Sequence, residues 1–192
     1  MLQPYMLEAH YHLVGGDHSI DALVRNKCEA ELLGMLVEVA SLIEINPNII
    51  KEAYKEGGFK DIWKLAGKNS QEILIFLMII QIIISVIPLL DFEGKQLSEE
   101  ERRLGIEEKK LNIEKLRQEI SQGTDVNKVT EVAATSISSN LKIIKRKSNF
   151  YSLLDGYKKV EAVGINILNS DFLPVSDEHP VPRSEFRKYR NL

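Results

Sequence analysis

Residues 73–90 read ILIFLMIIQIIISVIPLL, and this stretch decides the fold that the sequence predicts. Fifteen of its eighteen residues are apolar and none is charged. As a helix it would be about 27 Å long, close to the roughly 30 Å of a bilayer hydrocarbon core. At about −0.3 to −0.6 kcal/mol per apolar residue, insertion is favourable by roughly 5 to 9 kcal/mol. The stretch therefore predicts a membrane-inserting helix.

The residues expected to carry the insertion recur along this helix: Ile73, Phe76, Ile80, Ile83, Ile87 and Leu90. A helix without a polar face is also what a soluble core or an oligomer buries on all sides. The two interpretations differ for Ile83→Arg, which weakens insertion in lipid but unfolds a soluble core. On the membrane hypothesis, the flanking segments of this variant stay folded.

The segments on either side of the apolar stretch have α+β patterns. Apolar and polar residues partly alternate at 7–14, and the stretch ends at Gly15-Gly16, which predicts a strand closed by a turn. Apolar residues then recur at helical spacing from Ile20 to Ile43, which predicts a helix. Residues 49–54 predict a second strand, and a short amphipathic piece follows around Trp63. Residues 126–154 predict a long helix closed by Gly156, and residues 160–168 alternate like a strand.

The predicted fold class is α+β, mostly helical, with one apolar transmembrane helix, a charged helical rod and a few short strands. Four parts follow from the pattern. They are an N-terminal α+β segment at 1–70, the membrane-inserting helix at 71–92, the charged rod at 93–124, and a C-terminal helix and strand segment at 125–192.

The charged rod is predicted to mediate assembly. The SEEE sequence at residues 98–101 is a capping box that opens a helix. Heptad spacing is typical of coiled coils, and the apolar residues at or near it are Leu104, Leu111, Ile113, Leu116 and Ile120. The chain is therefore expected to form a homo-oligomer.

A basic run, Lys142, Lys145, Arg146 and Lys147, precedes two aromatic residues. Such a run suits the anionic headgroups of membrane lipid or an acidic protein, although cations also favour ordinary helix ends. The net charge of −3 argues against specific binding of nucleic acid.

Two histidines, His10 and His12, lie two residues apart on the first predicted strand, so both face one side of it. Asp17 and His18 follow the glycine turn and complete a possible ligand set. No HExxH motif and no cysteine pair supports a metal site. The pattern therefore favours a half-exposed strand, with no metal and no cofactor.

Catalytic signatures are also missing from the sequence. Cys28 is the only cysteine, which excludes an intrachain disulfide, and no histidine follows it at a spacing typical of a nucleophile. We predict no catalytic residue and expect that the protein is not an enzyme.

Two stretches, HSIDALVRNKCEAELLGMLVEVASLI with the later EGGFKDIWKLAGKN, and IIKRKSNFYSLLDGYKKV, resemble small membrane proteins of bacterial antiphage defence operons. The resemblance implies an accessory or effector protein at the cytoplasmic face of the bacterial inner membrane. It also implies a protein partner, encoded nearby, that senses infection.

The sequence thus predicts a non-enzymatic, membrane-associated scaffold or effector that acts through oligomerisation and membrane insertion. The alternative is a soluble interaction subunit whose apolar helix is buried against a partner protein.

Overall fold

A computed structural model describes residues 3–16, 19–52, 59–89 and 112–190. The strands are β1 (Tyr5–Leu13), β2 (Asn48–Lys51), β3 (Phe59–Ala66), β4 (Val160–Leu168) and β5 (Val181–Pro182). The α-helices are α1 (Ala22–Leu42), α2 (Ser70–Ser85), α3 (Ile113–Ser121), α4 (Val126–Ile137) and α5 (Leu141–Gly156). Short 3₁₀ helices span Val14–Gly16 and Arg183–Lys188.

The strands form one antiparallel sheet in the order β2-β3-β1-β4-β5. β1 lies at its centre, because Leu7 is opposite Trp63 on β3 and opposite Ile167 on β4. Since neighbouring side chains of a strand point to opposite faces, Leu7, Ala9 and Tyr11 enter the main core. The intervening residues of β1 face the other side of the sheet.

Helix α2 lies at the centre of this core and packs against the sheet, α1, α3 and α4. It is apolar all round because neighbours surround it, and Ile79 and Ile83 are fully buried among them. Within the described ranges, no helix is both long enough and apolar enough to cross a membrane. The prediction of a transmembrane helix at 71–92, and with it the transmembrane part of the fold class, is therefore wrong.

The residues assigned to membrane insertion have other places in the fold. Ile73, Phe76, Ile80 and Ile83 are buried inside the domain, and Ile87 packs partly buried against the same core. Leu90 lies outside the described residues. The five described side chains therefore pack in the interior of the chain itself.

The end of α2 is capped by residues from the C-terminal part of the chain. The Tyr151 hydroxyl donates to the Ile84 carbonyl at 2.6 Å, and the Tyr189 hydroxyl donates to the Ser85 carbonyl at 3.1 Å. The Nζ group of the buried Lys147 donates to the carbonyl of Ile87. Carbonyls at a helix end lack partners within the helix, so these side chains satisfy them.

Two further elements differ from the sequence-based expectation. The piece around Trp63 is the strand β3 rather than a short amphipathic segment. The long helix at 126–154 is two helices, because the first ends at Ile137 and the Asn140 side chain caps the start of α5. Residues 93–111 of the predicted rod lie outside the described ranges.

Candidate metal centre

A row of polar side chains, Glu8, His10 and His12, lies on the face of β1 that the helices leave open. Their neighbours Ala9 and Tyr11 fill the core on the opposite face, as the alternation of a strand requires. The imidazole rings of the two histidines are in contact, with their centroids 3.9 Å apart and their planes tilted by 37°. Both rings are partly exposed, so their nitrogens are accessible from this side.

The segment between β4 and β5 returns across this face and brings in a carboxylate. Glu178 Oε1 lies 3.0 Å from His10 Nδ1 and 3.2 Å from His12 Nε2. One ligand atom from each of the three side chains lies within 4.8 Å of the other two. Two imidazole nitrogens and a carboxylate oxygen therefore converge on one point above the sheet.

Gly164 on β4 makes space for this carboxylate. It is paired opposite His10 in the sheet, directly beneath the cluster. A Cβ atom at this position would lie 2.1 Å from Glu178 Oε1 and 2.9 Å from its Cδ. Glycine weakens the interior of a strand and often marks a site where another group approaches closely. The absence of a side chain at position 164 therefore leaves the space that the Glu178 carboxylate occupies.

Hydrogen bonds from Asn166 hold Glu178 and Glu8 in place. The Asn166 Nδ2 group donates to Glu178 Oε1 at 3.1 Å and to Glu8 Oε1 at 2.9 Å. Lys60 Nζ lies 3.8 Å from the other oxygen of Glu8. Supporting contacts of this kind orient ligand side chains at metal sites.

Electrostatics favour the cation-binding forms of His10 and Glu178. Burial lowers the pKa of His10, and the neighbouring His12 lowers it further. Burial acts to raise the pKa of Glu178, but hydrogen bonds from Asn166 and His12 outweigh it and hold that pKa below its usual value. A neutral His10 and an ionised Glu178 at neutral pH are what metal ligation requires.

The two distances from the imidazole nitrogens to the Glu178 oxygen are close to those of a metal site. For zinc, Zn–N distances of about 2.0–2.1 Å place neighbouring ligands of a tetrahedral site roughly 3.4 Å apart. The contacts of 3.0 and 3.2 Å to Glu178 are a few tenths of an ångström shorter. At these two contacts an ion needs only a few tenths of an ångström of expansion, and the third pair of ligand atoms lies within 4.8 Å.

The sequence found only part of this site. It indicated His10 and His12 but paired them with Asp17 and His18, which lie outside the described residues. Glu178 was missed because it is 168 residues from His10 and only the sheet topology brings them together. Gly164, in the interior of the strand at 160–168, was the local signal of a close approach.

Three of the five residues predicted to mediate assembly lie in or against the core of this chain. Ile113 and Leu116 are buried in the core of this chain, and Ile120 packs partly buried against it. The described part of the rod therefore packs its apolar residues inside this chain, and nothing in the described residues supports a coiled coil. Leu104 and Leu111 lie outside the described residues.

The predicted basic contact surface is divided in the fold. Lys142 and Lys145 are exposed on α5. Arg146 is 3.4 Å from Glu31 of α1, and Lys147 is buried beneath the end of α2. Only two of the four cations thus face solvent without an ion pair to the neighbouring helix.

A second charged cluster lies between α1 and the β2–β3 hairpin, beside a cavity of about 420 Å³. The buried Asp61 carboxylate accepts from Arg25 Nε at 3.1 Å and from Lys51 Nζ at 2.7 Å. Lys51 Nζ also lies 3.0 Å from Glu29. The two cations and two carboxylates neutralise each other, so this cluster holds the sheet to α1 and leaves no uncompensated charge for a ligand.

Comparison of the chain with protein-family models, with curated proteins and with solved structures finds no match. The chemistry of the site is therefore argued from the geometry of its own residues. Among the described residues, His10, His12 and Glu178 are the group whose atoms lie close enough to hold a metal ion.

Proposed function

We propose that this protein binds one divalent transition-metal ion on the open face of its sheet. The observation that carries the proposal is the convergence of His10, His12 and Glu178, whose ligand atoms lie within 4.8 Å of one another. Two of these residues come from the central strand and the third from the distant segment before β5. Gly164 supports the proposal, because any larger residue there would displace the carboxylate.

The donor set favours certain metals. Imidazole nitrogen suits zinc, iron, copper and nickel, whereas magnesium and calcium prefer oxygen ligands alone. Structural zinc sites are closed by four protein ligands, but functional sites keep a position for water or substrate. Three protein ligands on a partly exposed face thus favour a site that binds a further molecule through the ion.

The test is calorimetric titration of the full chain with Zn²⁺. We expect one equivalent to bind. We also expect His12→Ala to weaken binding by at least about a hundredfold, since even loss of a supporting residue typically costs 10–100-fold. His179→Ala is the matched control, because this exposed histidine adjoins Glu178 outside the cluster. Circular dichroism establishes that both variants remain folded.

The alternative role for these residues is structural. The same contacts could pin the segment before β5 onto the sheet through hydrogen bonds alone. In that case Zn²⁺ would show no stoichiometric binding, or His12→Ala and His179→Ala would bind it equally weakly. Either result would reject the metal site.

An interaction role with a partner protein or a second copy stays a prediction. The apolar helix is already packed inside this chain, so such a contact would need another surface. That the protein is not an enzyme also stays a prediction, and the proposal concerns binding only.

A further inference from the structure

A cavity of about 270 Å³ opens beside the proposed metal centre. Its lining includes His10 and Glu178 as well as Leu168 and Phe172. His10 pairs with Gly164 on β4, four residues before Leu168, so the histidine and the leucine lie toward opposite ends of the cavity. Ligand cavities for drug-sized molecules are typically about 300–1,000 Å³, so a molecule in this cavity is small. Because His10 and Glu178 lie in its wall, such a molecule can reach an ion bound between them.

The far end of the cavity is apolar. Phe172 packs on a small cluster of Met6, Ile62 and Leu168, which lies on the same face of the sheet as the histidines. This face is otherwise polar, and the cluster is separate from the main core. An apolar group of a ligand would therefore be favoured at this end.

The backbone at Phe172 is held in an uncommon conformation. Its φ is 62°, in the left-handed region that bulky residues rarely adopt. The turn is fixed by Asn169, whose carbonyl accepts from the Phe172 N–H at 3.0 Å and whose Oδ1 accepts from the Leu173 N–H at 3.1 Å. Backbone strain of this kind is concentrated at ligand sites. Here it sets the aromatic ring against the cavity.

The charge at the near end favours an anionic donor. A divalent ion with two neutral imidazoles and one carboxylate keeps a net positive charge, which a second anionic ligand neutralises. Glu8 and Lys60 also line the cavity and lie 3.8 Å apart, so their charges offset each other and leave the positive charge of the ion. Asp177 is at the rim, but it is exposed, so solvent and salt screen its charge.

We infer that the metal-loaded protein binds a small carboxylic acid that carries an apolar substituent. The carboxylate completes the coordination of the ion, and the substituent lies on Phe172 and Leu168. This inference rests on the proposed metal site.

The experiment titrates the Zn²⁺-loaded full chain with phenylacetate, acetate and 2-phenylethanol. We expect phenylacetate to bind at least about tenfold more tightly than acetate, because its ring is buried. We expect no binding of 2-phenylethanol, which lacks the carboxylate, and no binding of phenylacetate to the metal-free protein. Equal binding of phenylacetate and acetate, or equal binding with and without metal, would overturn the inference.

Paired variants locate the ligand in the cavity. Phe172→Gly removes the ring while accepting the positive φ, so the preference for phenylacetate over acetate should disappear. Leu173→Gly, at an exposed neighbour, should keep it. Lys60→Met leaves the Glu8 carboxylate in the cavity wall without its cation and should weaken both acids. Lys64→Met, on the same face of β3 and paired with Glu52, should not. Equal effects within each pair would contradict the assignment.

The two proposals fail in distinguishable ways. Zn²⁺ binding at one equivalent with no effect of phenylacetate would overturn the ligand and leave the metal site standing. Failure to bind Zn²⁺, measured before any acid is added, would overturn both.

Discussion

At the scale of single residues, Gly164 controls whether Glu178 can reach the two histidines. In Gly164→Ala the new Cβ would lie 2.1 Å from Glu178 Oε1, so the carboxylate must move away. We expect Zn²⁺ affinity to fall at least about tenfold, as losses of supporting contacts do, with the fold retained. Gly156→Ala is the control, because open space surrounds that position. Equal Zn²⁺ affinities of the two variants, measured by calorimetry, would show that Gly164 is not needed for metal binding.

Lys147 makes the stability of the protein depend on pH. Burial lowers its pKa in the folded chain to about 7, whereas an unfolded lysine titrates near about 10.4. Between these values the unfolded chain holds more protons, so the contribution of Lys147 to the free energy of unfolding rises from pH 7 to 10. Below pH 7 both states are protonated and that contribution is lowest and constant.

Replacement by methionine removes this titration while keeping an unbranched side chain. We therefore expect the wild-type protein to gain stability relative to Lys147→Met as the pH rises from 7 to 9.5, in urea denaturation. Lys145→Met, at an exposed position of the same helix, should follow the wild type at every pH. A constant difference between wild type and Lys147→Met would show that the buried amine does not titrate in this window.

Cys28 is predicted to be inert in the folded protein. It is fully buried, and burial raises the pKa of its thiol to about 12. At pH 8 almost no thiolate is present to react with a disulfide reagent such as DTNB. We expect reaction in urea but not in buffer. Rapid modification of the native protein would contradict the packing of α1 against the sheet.

Two of the three proposed metal ligands could be found from the sequence, and the third could not. The spacing of His10 and His12 predicted a shared face, and the structure has it, because strand alternation is a local rule. The third donor could not be predicted, since Glu178 belongs to an irregular stretch whose path depends on where β4 lies in the sheet. The expectation of no metal was based on a ligand set without this residue.

At the scale of elements, the apolar helix α2 is buried by other parts of this chain. Ile83 is fully buried in the domain, so the structure predicts that Ile83→Arg unfolds the protein. An unpaired buried charge costs about 3–5 kcal/mol against a total stability of roughly 5–15. Val86→Arg, just beyond the helix at a position 60% exposed, should be tolerated. Circular dichroism during urea titration compares the two, and a cooperative transition for Ile83→Arg at the wild-type midpoint would contradict the core position of α2.

Elements whose pattern is local were predictable. The strand predicted at 7–14, the helix from Ile20 to Ile43 and the strand at 160–168 are confirmed as β1, α1 and β4. The environment of the apolar run in α2 could not be predicted, because a helix buried in protein and a helix buried in lipid have the same apolar composition. β3 was missed because its polar residues alternate with core residues too irregularly to distinguish from a helix.

At the scale of the whole molecule, the sheet joins the two ends of the described chain at the site. β1 supplies two ligands, and β4 pairs beside it before the chain turns back to Glu178. An ion that binds only the folded state stabilises it by mass action, by about 2.7 kcal/mol at a free concentration 100 times its Kd. We therefore expect Zn²⁺ to raise the melting temperature of the wild-type protein but not that of Glu178→Gln. Equal shifts would place the ion elsewhere.

The most direct test of the metal site is X-ray absorption at the zinc edge of the loaded full chain. The structure predicts two imidazole ligands with Zn–N near about 2.0–2.1 Å, additional oxygen neighbours and no sulfur. One of the two imidazoles should be lost in His12→Ala, and both should remain in His179→Ala. A spectrum with fewer than two imidazoles in the wild type, or with a Zn–S distance of about 2.3 Å, would contradict a site built from His10, His12 and Glu178.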